Sequence, residues 1–250
     1  MEIDASFLAI AAPAVIFAGI SKGGFGSGAS FAGAAILALV VEPGLALGVM
    51  LPLLILIDLA TLGPFWGRWR WHESLVLIAG GLPGVALGAY FYTLVDADVL
   101  RVLIGAIAVS FVAWQLLRRR GWLQPKQGGM PAPLGGFFGM LAGFTSFVSH
   151  AGGPPAAVYM LSRGMSKTEY QATSVLVFWV INIAKFFPFA LLGLFTVETG
   201  KANLILAPFA VLGAWLGVKA HFLISERLFF GLTYVLLVVT GTRLIWQGLA

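Results

Sequence analysis

Long uninterrupted apolar stretches dominate this chain of 250 residues. Several run for roughly 18 to 25 residues, the length that an α-helix needs to cross a hydrocarbon core about 30 Å thick. Charged residues make up only 10% of the sequence, whereas a soluble domain has roughly 25%. Because so few charges cannot cover a water-facing surface, the sequence predicts an all-α polytopic membrane protein in a lipid bilayer. A transmembrane β-barrel would show short alternating segments instead.

The apolar pattern divides into ten helical segments, with approximate bounds 5–21, 28–41, 44–65, 73–94, 99–117, 134–149, 154–163, 170–194, 201–222 and 226–248. A basic and then Gly/Pro-rich stretch separates the first five from the last five. We therefore expect a first membrane repeat over 1–120, a cytoplasmic linker over 121–133 and a second membrane repeat over 134–250. Each repeat would contain a broken first segment, forming a hairpin, and three long transmembrane helices.

Short matches in the same order connect the two halves. Residues 57–61 correspond to residues 181–185, and the spacing of Gly84 and Gly88 recurs at Gly213 and Gly217. These matches predict an internal duplication. Two further runs of small residues at helical spacing predict close packing faces; they are Gly80, Gly84 and Gly88, and Gly135, Gly139 and Gly143.

The distribution of Lys and Arg predicts how the halves are oriented, because cytoplasmic loops are enriched in these residues. If each broken segment returns to its starting side, each half crosses an odd number of times and the repeats are inverted. With the N-terminus outside, ten Lys and Arg residues then lie in inner loops and three in outer loops. Eight simple spans would place eight inside and five outside, so the inverted arrangement is favoured.

One glycine-rich break interrupts the first segment of each half. The candidate substrate-binding residues are Lys22, Gly23, Gly24 and Ser27 at the first break, and Ser149, His150, Gly152 and Gly153 at the second. Paired interruptions in a duplicated membrane protein point to the binding site of a transporter. A helix that begins after a break offers free N–H groups and a positive dipole end, which suit an anion. Alternatively, the glycines only permit close helix packing, and the serines only bond back to their own helix turn.

Ionisable side chains within the apolar runs are further candidates. Lys22, Asp58 and Lys185 are costly in hydrocarbon unless they are paired or hydrated. Asp58 aligns with Asn182, and we add Asn182 to the candidate substrate-binding residues. Asp58 and Lys185 lie at similar depths, so we expect a salt bridge between them. That pair is either a permanent link between the halves or a gate or proton relay for coupling. Lys22 could instead snorkel to the surface, and His150 could bind an oxyanion, titrate, or only cap a helix.

Several classes of chemistry have no support in the sequence. The chain has no cysteine and only three histidines, which lie far apart, so we expect no disulfide, metal site or cofactor. The net charge of +5 reflects cytoplasmic loops rather than nucleic-acid binding. An intramembrane enzyme is disfavoured because the adjacent Ser149 and His150 are poorly placed for a catalytic hydrogen bond. In a purely structural subunit, Asp58 and Lys185 would be superfluous.

The segments around both breaks resemble the TauE/SafE family, also called toluene-sulfonate uptake permeases. The residues that carry the resemblance are Gly135-Gly136-Phe137-Phe138-Gly139, Gly143, His150-Ala151-Gly152-Gly153-Pro154-Pro155, and Gly19-Ile20-Ser21-Lys22-Gly23-Gly24-Phe25-Gly26. The resemblance extends over essentially the whole chain. It implies a secondary transporter, with export as the expected direction, for small sulfur-containing anions such as sulfite or organosulfonates.

These observations predict alternating access around an anion site at the membrane midplane. The expected setting is the bacterial inner membrane, and the expected coupling ion is a proton or sodium. An anion channel with the same positive, glycine-rich site is the alternative. The sequence leaves open the exact substrate, export against uptake, the coupling ion, the oligomeric state, and whether the broken segments cross the membrane fully or are re-entrant.

Overall fold

The computed structural model describes residues 3–26, 30–122, 129–223 and 226–250. These residues form ten α-helices and no strand. Seven of the helices in this part of the chain are long and apolar enough to cross a membrane. The prediction of an all-α polytopic membrane protein is therefore confirmed, and each of the ten expected segments corresponds to one helix.

The helices of the first half are α1 (Ala5–Gly24), α2 (Phe31–Leu37), α3 (Pro43–Leu62), α4 (Trp71–Tyr92) and α5 (Ala97–Arg119). The side chain of Asp4 caps α1 by accepting a hydrogen bond from the N–H of Phe7. Helix α1 continues beyond the end expected from the sequence, and Lys22 belongs to its last turn. The chain leaves the helical path at Phe25, whose φ is −127°, and turns further at Gly26, whose φ of 78° suits glycine.

The helices of the second half are α6 (Ala132–Ser149), α7 (Gly153–Ser162), α8 (Lys167–Leu191), α9 (Val197–Leu223) and α10 (Glu226–Leu249). His150 ends α6 in the left-handed conformation, with a φ of 56°. This conformation is uncommon for a residue other than glycine. Helix α8 begins with a capping box in which Ser166 and Glu169 each accept the other's backbone N–H.

The contacts between helices occur in matched pairs. Helix α1 packs on α9 as α6 packs on α4, and α3 packs on α9 as α8 packs on α4. The remaining large contacts join α5 to α10 and α3 to α8. Exchanging α1–α5 with α6–α10 leaves this set of contacts unchanged, which is the pattern that a two-fold relation between the halves produces.

The predicted glycine faces meet each other where α4 packs on α6. A Cβ added to Gly84 would clash with the carbonyl of Met140, and one added to Gly143 would clash with the carbonyl of Gly81. The same close approach joins α1 to α9, where a Cβ on Gly19 would lie 2.7 Å from the backbone carbon of Gly213. The two backbones therefore approach as closely as glycine allows at both contacts.

The two ends of the helix bundle differ in the charged residues that they carry. At one end, which we call the basic end, Arg163 Nε lies 3.3 Å from Glu73 Oε1, and Lys167 and Arg118 line one cavity. At the opposite end, Glu42, Arg101 and Gln247 line another cavity. Arg118, Arg163 and Lys167 are three of the ten residues that the inverted arrangement assigns to inner loops, and they meet at the basic end. Arg101, which that arrangement assigns to an outer loop, lies at the opposite end.

Candidate anion site

A buried ion pair joins the end of α1 to the middle of the bundle. Lys22 Nζ lies 2.6 Å from Asp58 Oδ2, with side chains that are 2% and 0% exposed. Lys22 Nζ is also 3.5 Å from the carbonyl oxygen of Leu54. The expected pairing of Asp58 with Lys185 is therefore wrong, because Lys22 on the neighbouring α1 occupies that position. Lys22 does not snorkel to the surface.

Asp58 also links the two halves of the chain. Asn182 Nδ2 on α8 donates to Asp58 Oδ2 over 2.8 Å, so both partners use the same carboxylate oxygen. The other oxygen, Oδ1, is buried and has no hydrogen-bond partner among the described residues. A buried acceptor without a partner costs about 1–3 kcal/mol, and more when it is charged. Asp58 therefore retains one oxygen that could accept a proton or a small cation.

Lys185 lies in a different setting, although it is only three residues from Asn182. Its side chain is fully buried, and Nζ lies 2.9 Å from the carbonyl oxygen and 3.0 Å from the hydroxyl oxygen of Ser146. The third neighbour of Nζ is His150 Nδ1, at 2.8 Å. Within the described part of the chain, Lys185 has no carboxylate within ion-pair distance.

The hydrogen bonds of His150 define its tautomer. Its Nε2 lies 3.2 Å from the carbonyl oxygen of Leu47 on α3, and because a carbonyl only accepts, Nε2 carries the proton. In the neutral ring Nδ1 is then an acceptor, which matches the ammonium of Lys185 as its donor. His150 thus contributes no formal charge, and the neighbours of the Lys185 amine are neutral groups.

These contacts form two neighbouring sets, with Lys22, Asp58 and Asn182 in one and Ser146, His150 and Lys185 in the other. We call the two sets together the polar layer. Asn182 and Lys185 lie on one side of α8, since residues three apart are neighbours on a helix surface. Side chains from both breaks therefore reach the same stretch of α8. With two lysines against one carboxylate and a neutral histidine, the layer has a formal charge of +1.

The comparison with known proteins matches the sequence of this chain to a family. The family model described as Sulfite exporter TauE/SafE matches residues 11–244. The chain belongs to the TauE/SafE family. Neither a curated protein nor a solved structure matches it. The family consists of membrane proteins that export sulfite and other sulfur compounds, so this TauE/SafE protein is a multi-pass membrane transporter.

Packing accounts for three of the glycines predicted to bind substrate in this TauE/SafE protein. A Cβ on Gly23 would lie 2.8 Å from the carbonyl oxygen of Ala214, and one on Gly24 would clash with the carbonyl of Gly217, so both face α9. A Cβ on Gly152 would lie 2.6 Å from the carbonyl oxygen of Ala142. Gly153 is buried at the first position of α7. For all four, contact with substrate stays a prediction.

The serines before the second break, Ser146 and Ser149, make different contacts. Ser149 Oγ donates to the carbonyl oxygen of Thr145 in its own helix, which is the alternative considered above. Ser27 lies outside the described residues. Ser146 instead accepts and holds the amine of Lys185. The repeat alignment could have identified Ser146, because the offset of 124 residues that aligns Asp58 with Asn182 also aligns Lys22 with Ser146.

Proposed function

We propose that this TauE/SafE protein exports sulfite or a small organosulfonate across the bacterial inner membrane, and that the anion binds beside Lys185 and His150. The observation that carries the proposal is the buried amine of Lys185, whose neighbours Ser146 and His150 are neutral. A desolvated ammonium without a counter-charge attracts an oxyanion strongly. Lys22 is less suited to this role because Asp58 already neutralises it.

We further propose that residues 1–120 and 134–250 are inverted repeats, joined by a linker over 121–133. The matched helix contacts support a two-fold relation. The inversion is supported by helix direction: α1 begins beside Glu42 and ends at the cavity containing Lys167. Helix α6 begins beside Ser162, close to Lys167, and runs away from that end. Alternating access would then expose the polar layer to each side in turn.

Asp58 is the proposed site of the coupling ion, either a proton or sodium. Its Oδ1 atom is buried and has no partner in the part of the chain that the structure describes, while Oδ2 holds Lys22 and Asn182. A cation bound at Oδ1 would weaken the attraction between Asp58 and Lys22, which joins α3 to α1. In this scheme Lys185 gates the site, because anion binding competes with His150 for its ammonium.

Lys185→Met tests the proposed function directly. We expect the purified variant in proteoliposomes to lose sulfite counterflow by at least about a hundredfold, since a lost buried charge contact costs about 3–5 kcal/mol. Lys201→Met is the matched control, because it removes an exposed lysine and should keep transport near the wild-type rate. The melting temperature of each variant reports on folding, and normal counterflow by folded Lys185→Met would refute the proposed anion site.

The anion channel with the same positive site is the second candidate. It needs no coupling group, whereas the partnerless oxygen of Asp58 favours a coupled transporter. Accumulation of sulfite against its gradient, driven by an imposed proton or sodium gradient in proteoliposomes, would exclude the channel. Flux that only follows the sulfite gradient would exclude coupled export.

A further inference from the structure

A second positively charged feature lies at the basic end, apart from the polar layer. A cavity of ≈ 340 Å³ opens there, within the range of roughly 300–1,000 Å³ typical of ligand pockets. Its polar lining consists of Gln115, Arg118, Lys167, Tyr170, Gln171, His221 and Tyr234. Lys167 is exposed, whereas Gln171 and His221 are buried, so the cavity leads from the surface into the bundle. None of the described residues that line it is acidic.

Arg118 gives this cavity a preference for anions. Among the residues whose side chains the structure describes, no carboxylate lies within ion-pair distance of Arg118. Its guanidinium carbon lies 5.8 Å from the ring centre of Trp114. A guanidinium presents a planar fork of donors that matches two oxygens of a sulfonate or sulfite. Lys167 adds a second positive charge at the mouth of the cavity, on the opposite wall formed by α8.

The inner wall of the cavity holds the end of α1. Gln171 Nε2 donates to the carbonyl oxygen of Lys22 over 2.7 Å, and His221 Nδ1 lies 2.8 Å from the carbonyl oxygen of Gly24. The last carbonyls of a helix lack donors within the helix, so these two side chains satisfy them. Lys167 Nζ in turn donates to the backbone carbonyl of His221 over 2.7 Å. The lining of the cavity therefore supports the helix turn that carries Lys22.

We propose that this cavity is a recognition site for a small sulfonate- or sulfite-like oxyanion, separate from the polar layer and on the basic end of the protein. Arg118 is the main contact and Lys167 raises the local anion concentration. The cavity's role as the first of two sites used during transport rests on the proposed function. Its selectivity for anions does not, because that property follows from its own lining.

The absence of cysteine from the sequence allows a direct test. Leu161 lines the cavity on α7, away from Arg118 on α5, and Leu161→Cys would place a single thiol there. Its modification rates are measured with an anionic ethylsulfonate and a cationic trimethylammonium-ethyl methanethiosulfonate. We expect the ratio of anionic to cationic rates to exceed the ratio for free cysteine by about tenfold, since a positive cleft concentrates anions. Sulfoacetate should slow the modification.

Matched charge variants make the test specific to this cavity. Arg118→Gln in the Leu161→Cys protein should return the ratio to that of free cysteine. Arg120→Gln removes an exposed arginine at the same end of α5 and should leave the ratio unchanged. Equal ratios for the cavity thiol and free cysteine would overturn the proposal, as would equal effects of the two arginine variants. Met165→Cys, also in the cavity lining, replaces Leu161→Cys if that variant does not fold.

Lys185→Met separates this proposal from the proposed function. In the Leu161→Cys background it should abolish sulfite counterflow and leave the anion preference of the cavity intact. Loss of that preference in a folded protein would show that the two sites are one and would overturn the proposal. Absence of sulfite transport by the wild-type protein would refute the proposed function instead, and the thiol ratios would still decide on the cavity.

Discussion

The two lysines of the polar layer differ in what surrounds their ammonium groups. Lys22 has a carboxylate partner in Asp58, whereas Lys185 has only neutral partners in Ser146 and His150. In a low-dielectric interior this difference decides which lysine is available to a substrate anion. Lys22 and Asp58 then serve folding, coupling or both, and this question can be answered with two variants.

Asp58→Asn should destabilise the protein by about 3–5 kcal/mol, because it leaves the buried ammonium of Lys22 without a counter-charge. The double variant Lys22→Met/Asp58→Asn should regain most of the lost melting temperature, since neither charge remains. We expect that variant to keep sulfite counterflow and to lose accumulation driven by an ion gradient. If it accumulates sulfite like the wild type, the pair is structural and the coupling ion binds elsewhere.

The sequence was sufficient to find the lysines, the aspartate and the asparagine of the polar layer but not to pair them. Intramembrane charges identified Lys22, Asp58 and Lys185, and the repeat alignment added Asn182. The pairing depends on the direction in which each side chain leaves its helix. Because Lys22 continues the helical path of α1 and does not lie in a loop, its amine points at α3. Nothing in the local sequence distinguishes that helical turn from a break before Gly23.

At the scale of elements, glycine determines which helices touch. The contacts α1–α9 and α4–α6 are both formed by facing glycines, and the sequence predicted the glycine faces on α4 and α6 from their spacing of four residues. It did not predict that Gly23 and Gly24 face α9, because a glycine that permits packing and a glycine that approaches a ligand look the same in one sequence.

Substituting alanine for Gly84 on α4 and for Gly136 on α6 should change the stability of the protein in opposite directions. Gly84→Ala would drive a methyl group into the carbonyl of Met140, so α4 and α6 must separate and the melting temperature should fall by several degrees. Gly136→Ala lies on α6 with no atom within 4 Å of the added carbon. It should raise stability by about 0.5–1 kcal/mol through helix propensity. A fall of similar size in both variants would contradict this account of the contact.

For the whole molecule, the central question is which helix ends share a side of the membrane. The basic end collects Arg118, Arg163 and Lys167, and the charge distribution of the sequence had favoured a cytoplasmic position for all three. From the sequence alone, the count of Lys and Arg residues only favours inverted repeats over eight simple spans. The structure adds spatial neighbours, because Arg163 reaches Glu73 at the start of α4.

Sided labelling of single cysteines distinguishes the two topologies. Arg120→Cys, Lys167→Cys and Lys201→Cys each place a thiol at an exposed position of the cysteine-free chain. With inverted repeats, a membrane-impermeant thiol reagent applied to intact cells should label only the cysteine at 201. Eight simple spans predict that only the cysteine at 167 is labelled. Full labelling of all three in lysed cells is the control.

The contact between α1 and α9 also constrains how the protein is synthesised. At a translation rate of about 5–20 residues per second, the glycine face of α1 waits roughly 10 to 40 s for its partner to leave the ribosome. During that interval α1 lies in the bilayer with a charged lysine. Asp58 on α3 follows Lys22 by only 36 residues, so the ion pair can neutralise this charge early. The pair therefore lets the first half of the chain remain in the membrane until the second half arrives.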